Sequence, residues 1–208
     1  MEALVADRRT RAAGVAALLL IQICVGYEWL VSGLTKVVRG GFVNGLAGQL
    51  RSMHDGPGWY RSFLAHDVIP HAHLLAYLIE IAEVAVGATL LGAAVILLAR
   101  GSRLPAGLVR ALLLAGVAAS LAGLVMVVNF ALADGSTFGL TLASDGFDEG
   151  VDLDTLLIGL QLALLAFGLV GAAARRPSSS ARNSCGPSVG DIAWRDSSRQ
   201  PTNVVGKT

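Results

Sequence analysis

The sequence predicts an all-α integral membrane protein, a four-helix bundle with an interfacial helical insertion after the first span. Hydrophobic residues make up 54% of the 208-residue chain, charged residues make up 15%, and the mean hydropathy is +0.63. Soluble domains carry about 25% charged residues. In addition, four apolar stretches are long enough to cross a hydrocarbon core of about 30 Å, which takes about 20 helical residues.

The four predicted spans lie in a membrane domain over residues 1–176. They cover approximately residues 12–38, 73–98, 108–133 and 153–174. The first follows an arginine cluster as a signal peptide would, but its apolar run continues to Leu34 without a convincing small-residue cleavage site. We therefore expect an uncleaved first span.

Basic residues predict the orientation of the spans. Arginines lie before the first span, between the second and third, and after the fourth, whereas the connection between the third and fourth is acidic. Because short loops rich in Lys and Arg stay in the cytoplasm, both termini are expected there, with the protein in the bacterial inner membrane. Residues 177–208 are rich in Ser, Pro and Gly and predict a disordered cytoplasmic tail.

The connection over residues 39–72 is too long for a simple turn. Phe42–Met53 and Trp59–Val68 mix apolar and polar residues at helical spacing on either side of the turn Gly56-Pro57-Gly58. With Trp59 and nearby aromatic residues at headgroup depth, both segments are predicted to lie flat in the membrane interface. An ordinary extramembrane loop is the alternative.

Ionisable residues inside the predicted spans are the main clue to function, because a charge within a bilayer is costly without a partner. In the first span Glu28, Ser32 and Lys36 are spaced i, i+4, i+8 along one helical face, too far apart for Glu28 and Lys36 to pair directly. Gly26 and Gly33 let neighbouring helices approach closely, so we expect this face to turn toward protein.

The other spans place polar residues at the same depth, in the predicted outer half of the membrane. The second span carries Tyr77, Glu80 and Glu83 at helical spacing, and the third carries Asn129. The residues expected to line one polar cavity are Glu28, Lys36, Tyr77, Glu80, Glu83 and Asn129. Within it, Lys36 is expected to hold one glutamate of the second span ionised.

Two interpretations of this cavity remain open. In the first, the carboxyl groups exchange protons with a quinone head group as it is reduced. The expected catalytic residues are then Glu80, Glu83, Lys36 and Glu28, and the expected substrate-binding residues are Ser32, Tyr77, Asn129 and Trp59. In the second, the glutamates are structural, held by interhelical hydrogen bonds, and Lys36 extends to the interface.

No metal or nucleic-acid site is predicted. All four histidines lie between positions 54 and 73, but their spacing matches no known metal motif. Cys24 and Cys185 are expected at different depths, which argues against a disulfide. A formal net charge of +1 gives no basic surface for nucleic acid. The partners expected are the lipid bilayer and a soluble or membrane redox subunit, and an oligomer is compatible with the sequence.

Two motifs resemble the DoxX/DoxD family of small four-helix membrane proteins. They are Gly-Tyr-Glu-Trp-Leu-x-Ser-Gly-Leu-x-Lys in the first span and Glu80-x-x-Glu83-x-x-x-Gly87-x-x-Leu-Leu-Gly in the second. The resemblance covers about residues 12–174 and includes Ser32, Gly33 and Lys36, whereas Glu28 departs from the family pattern.

The resemblance implies the membrane subunit of a thiosulfate:quinone oxidoreductase, with quinone as co-substrate. Other members of the family are similar to membrane components of redox or thiol-stress assemblies. The alternative function is therefore a non-catalytic scaffold that anchors such a partner protein. Likeness of fold alone does not choose between these functions.

Overall fold

The computed structural model describes residues 2–135 and 153–175, and within these ranges every regular element is helical. The α-helices in this part of the chain are α1 (Glu2–Arg39), α2 (Phe42–Ser52), α3 (Gly58–Phe63), α4 (Ala72–Arg100), α5 (Ala106–Asp134) and α6 (Leu153–Ala173). A π-helical turn (Leu64–Val68) and a 3-10 turn (Ile69–His71) connect α3 to α4. The acidic connection over residues 136–152 and the predicted tail lie outside the described residues.

Four long apolar segments confirm the predicted all-α membrane bundle. They are Thr10–Arg39, Gly58–Arg100, Ala106–Asp134 and Thr155–Ala173, and each is long and apolar enough to cross a membrane. The predicted spans of residues 73–98 and 108–133 fall within α4 and α5. Neighbouring long helices run antiparallel, so α1 and α5 end where α4 and α6 begin. This end also carries α2 and α3, and we call it the α2 end.

Glycines bring α1 and α4 into direct backbone contact. A Cβ atom added to Gly26 would lie 2.6 Å from the backbone nitrogen of Leu91, and one added to Gly33 would lie 2.8 Å from that of Val84. On α4, a Cβ atom on Gly87 would lie 2.6 Å from the Cα of Leu30. The close approach expected at Gly26 and Gly33 is therefore present, and it fixes the register of α1 against α4.

Small residues also set the packing of α5 against α6. A Cβ atom on Gly168 would lie 2.6 Å from a side-chain methyl of Val117. Val25 and Trp29 of α1 join Leu90, Val127 and Leu164 in the main apolar core of the bundle. Such interfaces are typical of membrane bundles, where close van der Waals packing replaces the hydrophobic effect between helices.

The insertion between α1 and α4 is helical, as predicted, and packs on the bundle. Gly40 and Gly41 separate α1 from α2 with φ angles of 67° and 85°, a conformation that glycine adopts without steric cost. Leu46 of α2 then packs on Ala72 and Ala76 of α4. Pro70 lies where the helical course changes to 3-10, because proline has no N–H to continue an α-helix. Whether α2 and α3 lie in a membrane interface remains a prediction.

Candidate functional site

The α2 end of the bundle contains an ion pair between α1 and α4. Lys36 Nζ pairs with Glu83 Oε1. The Glu83 side chain is fully buried, and 23% of the Lys36 side chain is exposed. Glu83 reaches α1 because Gly33 lacks a side chain at the crossing: a Cβ atom there would lie 2.9 Å from the Cβ of Glu83.

Ser32 completes this group, one helical turn before Lys36. Its hydroxyl donates to Glu83 Oε2 at 3.3 Å and accepts from Lys36 Nζ at 3.4 Å. Both distances are long for hydrogen bonds, so the ion pair is the dominant interaction. We call Ser32, Lys36 and Glu83 the Lys36 cluster. It contains the Lys36–glutamate contact expected from the sequence.

Two aromatic rings flank the Lys36 ammonium group. The Nζ atom lies 5.0 Å from the ring centroid of Phe42 at the start of α2 and 5.6 Å from that of Phe130 near the end of α5. A cation at this distance from a ring is attracted to its π electrons. Residues of α1, α2, α4 and α5 therefore meet at the ammonium group, and α2 encloses the cluster on one side.

Glu80 lies one helical turn from Glu83 on the same buried face of α4. Only 6% of its surface is exposed. Within residues 2–135 and 153–175, no hydrogen bond or ion pair involves its carboxyl group. Burying a charge without a partner is costly. Among the described residues, Glu80 thus differs from Glu83 in having no counter-ion.

Besides Glu80, the structure leaves four of the predicted site residues outside the Lys36 cluster. Glu28 is exposed on the outside of α1, so the prediction that it faces the protein interior is wrong. Tyr77 is 49% exposed and packs edge-on against His73, and Trp59 is 67% exposed. Asn129 accepts a hydrogen bond from the buried Tyr60 hydroxyl at 2.9 Å and anchors α3 to α5.

Helix geometry explains the corrections for Glu28 and Tyr77. A step of four residues over-rotates by about 40°, so Glu28 lies about 80° around α1 from Lys36. A step of three residues under-rotates by about 60°, so Tyr77 lies about 120° around α4 from Glu83. Polar spacing that is regular at i+4 or i+3 therefore drifts off one face within two steps.

A second polar group lies in the middle of the bundle and was not predicted as a unit. With its amide oriented to satisfy both neighbours, Gln161 accepts from Trp29 Nε1 at 2.7 Å and donates to the carbonyl of Ser120 at 3.3 Å. Gln22 donates to the carbonyl of Leu90 at 3.0 Å. All of these side chains are buried. The sequence signal for this group was a polar residue near the middle of each of three spans, together with a tryptophan away from the membrane interface.

We expect Trp29→Phe to destabilise the protein by about 1–2 kcal/mol, because the buried oxygen of Gln161 loses its donor. The measurement is unfolding in mixed detergent and SDS micelles. Trp59→Phe is the matched control, since Trp59 is exposed and its indole is not part of this group. Equal stability of Trp29→Phe and wild type would mean that the Trp29–Gln161 hydrogen bond contributes nothing.

Five residues of the two sequence motifs, Ser32, Gly33, Lys36, Glu83 and Gly87, lie at the crossing of α1 and α4. The resemblance of these motifs to the DoxX/DoxD family stays a prediction from the sequence. No protein-family model, curated protein or solved structure matches the chain.

Proposed function

We propose that this chain is the membrane subunit of a quinone-linked redox system, with thiosulfate as the electron donor, and that the quinone head group binds at the Lys36 cluster. The observation that carries the proposal is the Lys36–Glu83 ion pair, buried between two membrane-spanning helices yet still partly open at Lys36. Ionisable groups inside a bilayer mark functional sites more often than surface charges do.

The residues present fit a quinone. An ammonium group has three N–H donors, and Lys36 directs one to Glu83 and one, at long distance, to Ser32. The third is left for a carbonyl oxygen. Phe42 and Phe130 both lie near the ammonium group and offer apolar surface to a flat ring. Lys36, Phe42 and Phe130 would thus hold the head group.

A bound quinone accepts two electrons and two protons and becomes a quinol, while two thiosulfate ions give up one electron each as a sulfur–sulfur bond forms between them. In this proposal the redox partner subunit delivers the electrons. Lys36 stabilises negative charge that develops on the carbonyl oxygen. Glu80, which has no counter-ion in the described chain, supplies one proton and regains it from water at the α2 end. The second proton comes from water at the same end.

The proposal places the chain in the bacterial inner membrane with both termini in the cytoplasm and the α2 end outside. Support comes from the arginines near the opposite helix ends, such as Arg100 and Arg175. Reporter fusions at residues 55 and 145 are expected to report an external location. A cytoplasmic signal from both positions would reverse the orientation and place the Lys36 cluster on the inner side.

Activity tests the proposed roles directly. Membranes that contain the full chain and its redox partner should reduce quinone when thiosulfate is added. In the double variant Glu80→Gln, Glu83→Gln this activity should fall at least about a hundredfold, because general acid–base groups typically contribute that much to a rate. Lys36→Met should lower it more than Lys36→Arg, which keeps the charge. Asp67→Asn, an exposed carboxylate at the same end, is the matched control. Unchanged turnover of the double variant would show that Glu80 and Glu83 do not take part in the reaction.

A scaffold that anchors a redox or thiol-stress partner is the second candidate function. It is favoured by the fact that Glu83 and Ser32 provide Lys36 with partners inside the chain, so the cluster can serve to lock α1 to α4. Stable co-purification of a soluble partner, without quinone binding by the isolated chain, would support the scaffold and reject the redox role.

A further inference from the structure

Two polar side chains lie on the outer surface of α1 within its membrane-spanning part. Tyr27 is 60% exposed and Glu28 is exposed. Along the helix axis Glu28 lies about 25 Å from Arg11 and about 16 Å from Arg39, at a rise of roughly 1.5 Å per residue. Both residues therefore lie well inside a hydrocarbon core of about 30 Å.

Neither side chain has a hydrogen bond or ion pair within the described ranges 2–135 and 153–175. They also do not form a hydrogen bond with each other, because adjacent residues on a helix point in different directions. A carboxyl group facing hydrocarbon is costly, and a tyrosine hydroxyl in apolar surroundings normally finds a partner. The outer face of α1 therefore presents a hydroxyl group and a carboxyl group that have no hydrogen-bond partner within the described part of the single chain.

This face also has the spacing of a helix-pairing seam. The exposed side chains recur at alternating steps of four and three residues: Leu20, Cys24, Tyr27, Val31, Leu34 and Val38. The centre of the seam lies about 130° around α1 from the glycines that pack on α4. A repeat of this kind is the pattern by which two parallel helices pack knobs into holes.

We propose that a second copy of this chain packs along this seam and that each copy's Tyr27 hydroxyl donates to the Glu28 carboxyl group of the other. Two copies in one membrane share an orientation, so their α1 helices pair in parallel about a two-fold axis. In parallel pairing, Tyr27 occupies a seam position, and its side chain enters a hole that the other copy's Cys24, Tyr27, Glu28 and Val31 form.

The same chain thus supplies both the donor and the acceptor that the exposed face lacks, at the same depth, and the two-fold axis makes both bonds at once. This is why a second copy fits better than an unrelated helix. The proposal does not depend on quinone chemistry, since the seam and the Lys36 cluster lie on different sides of α1.

Cys24 lies in the seam, so a disulfide between two copies would show that their α1 helices are in contact. In the full chain with Cys185→Ser, mild copper-phenanthroline oxidation of membranes should cross-link two differently tagged copies through Cys24. The matched control carries Cys24→Ser, Cys185→Ser and Ile81→Cys, which puts the thiol on an exposed position of α4, and should remain uncross-linked. Equal cross-linking from position 81, or a Cys24 product that contains only another protein, would overturn the proposal.

The hydrogen bonds are tested separately by association in detergent micelles. Tyr27→Phe should weaken dimer association about tenfold, since two interhelical hydrogen bonds are lost. Tyr77→Phe removes the hydroxyl of another exposed tyrosine, on α4, and should leave association unchanged. Glu28→Gln keeps an acceptor and should change association by less than about threefold. A monomeric wild-type chain, or equal association of Tyr27→Phe and Tyr77→Phe, would contradict the proposal.

Discussion

Lys36→Met is expected to lower the free energy of unfolding by about 3 kcal/mol, because it leaves the fully buried Glu83 carboxylate without its counter-ion. The only other interaction of that carboxylate in the described chain is the 3.3 Å contact with Ser32. The loss should appear in SDS-induced unfolding of the purified chain.

A second substitution shows whether the pair itself is the cause. In Lys36→Met, Glu83→Leu both members are replaced by apolar side chains, an exchange that is often neutral or stabilising for a buried ion pair. We expect most of the lost stability to return. If the double variant is as unstable as Lys36→Met, the loss comes from packing around Lys36 and not from an uncompensated charge.

Gly87→Ala is expected to lower the free energy of unfolding by about 3 kcal/mol, which is at the upper end of the range for overpacked cores. The added methyl group would lie 2.6 Å from the Cα of Leu30 and 2.8 Å from the carbonyl oxygen of Gly26. Backbone atoms cannot rotate away as side chains can, so α1 must move off α4. Because Lys36 lies on α1 and Glu83 on α4, the variant should also weaken their pairing and, with it, quinone-linked activity.

Gly92→Ala is the matched control, on the same helix. An added Cβ atom at Gly92 meets no atom within 4 Å, and alanine favours a helix over glycine by about 1 kcal/mol. The control should be as stable as wild type or more stable. Similar losses in both variants, measured by SDS-induced unfolding, would show that the α1–α4 contact at Gly87 is not the cause.

The helices were predictable because length and hydropathy are enough to identify a membrane span. The predicted interval of residues 108–133 falls within α5 for this reason. The contact between Lys36 and the second span was also within reach, since oppositely charged residues at one depth in adjacent antiparallel helices have few other partners.

Rotation of each helix about its axis was not predictable in the same way. Glu28 lies two helical turns before Lys36, about 12 Å along the axis, and about 80° away around α1. The glycine contacts with α4, at Gly26 and Gly33, decide which side of α1 faces inward. Those contacts depend on which helix is the neighbour, information that no local spacing in the sequence contains.

The central claim, that a quinone binds at Lys36, is tested most directly by photolabelling the full-length chain in membranes with an azidoquinone. The matched proteins are wild type and the Lys36→Met, Glu83→Leu variant, compared once unfolding experiments show that both are folded. We expect wild type to be labelled on peptides that contain Lys36 or Phe130, and labelling of the variant to fall at least about tenfold, as expected for loss of a charged hydrogen-bond donor. Equal labelling of both proteins would contradict the account.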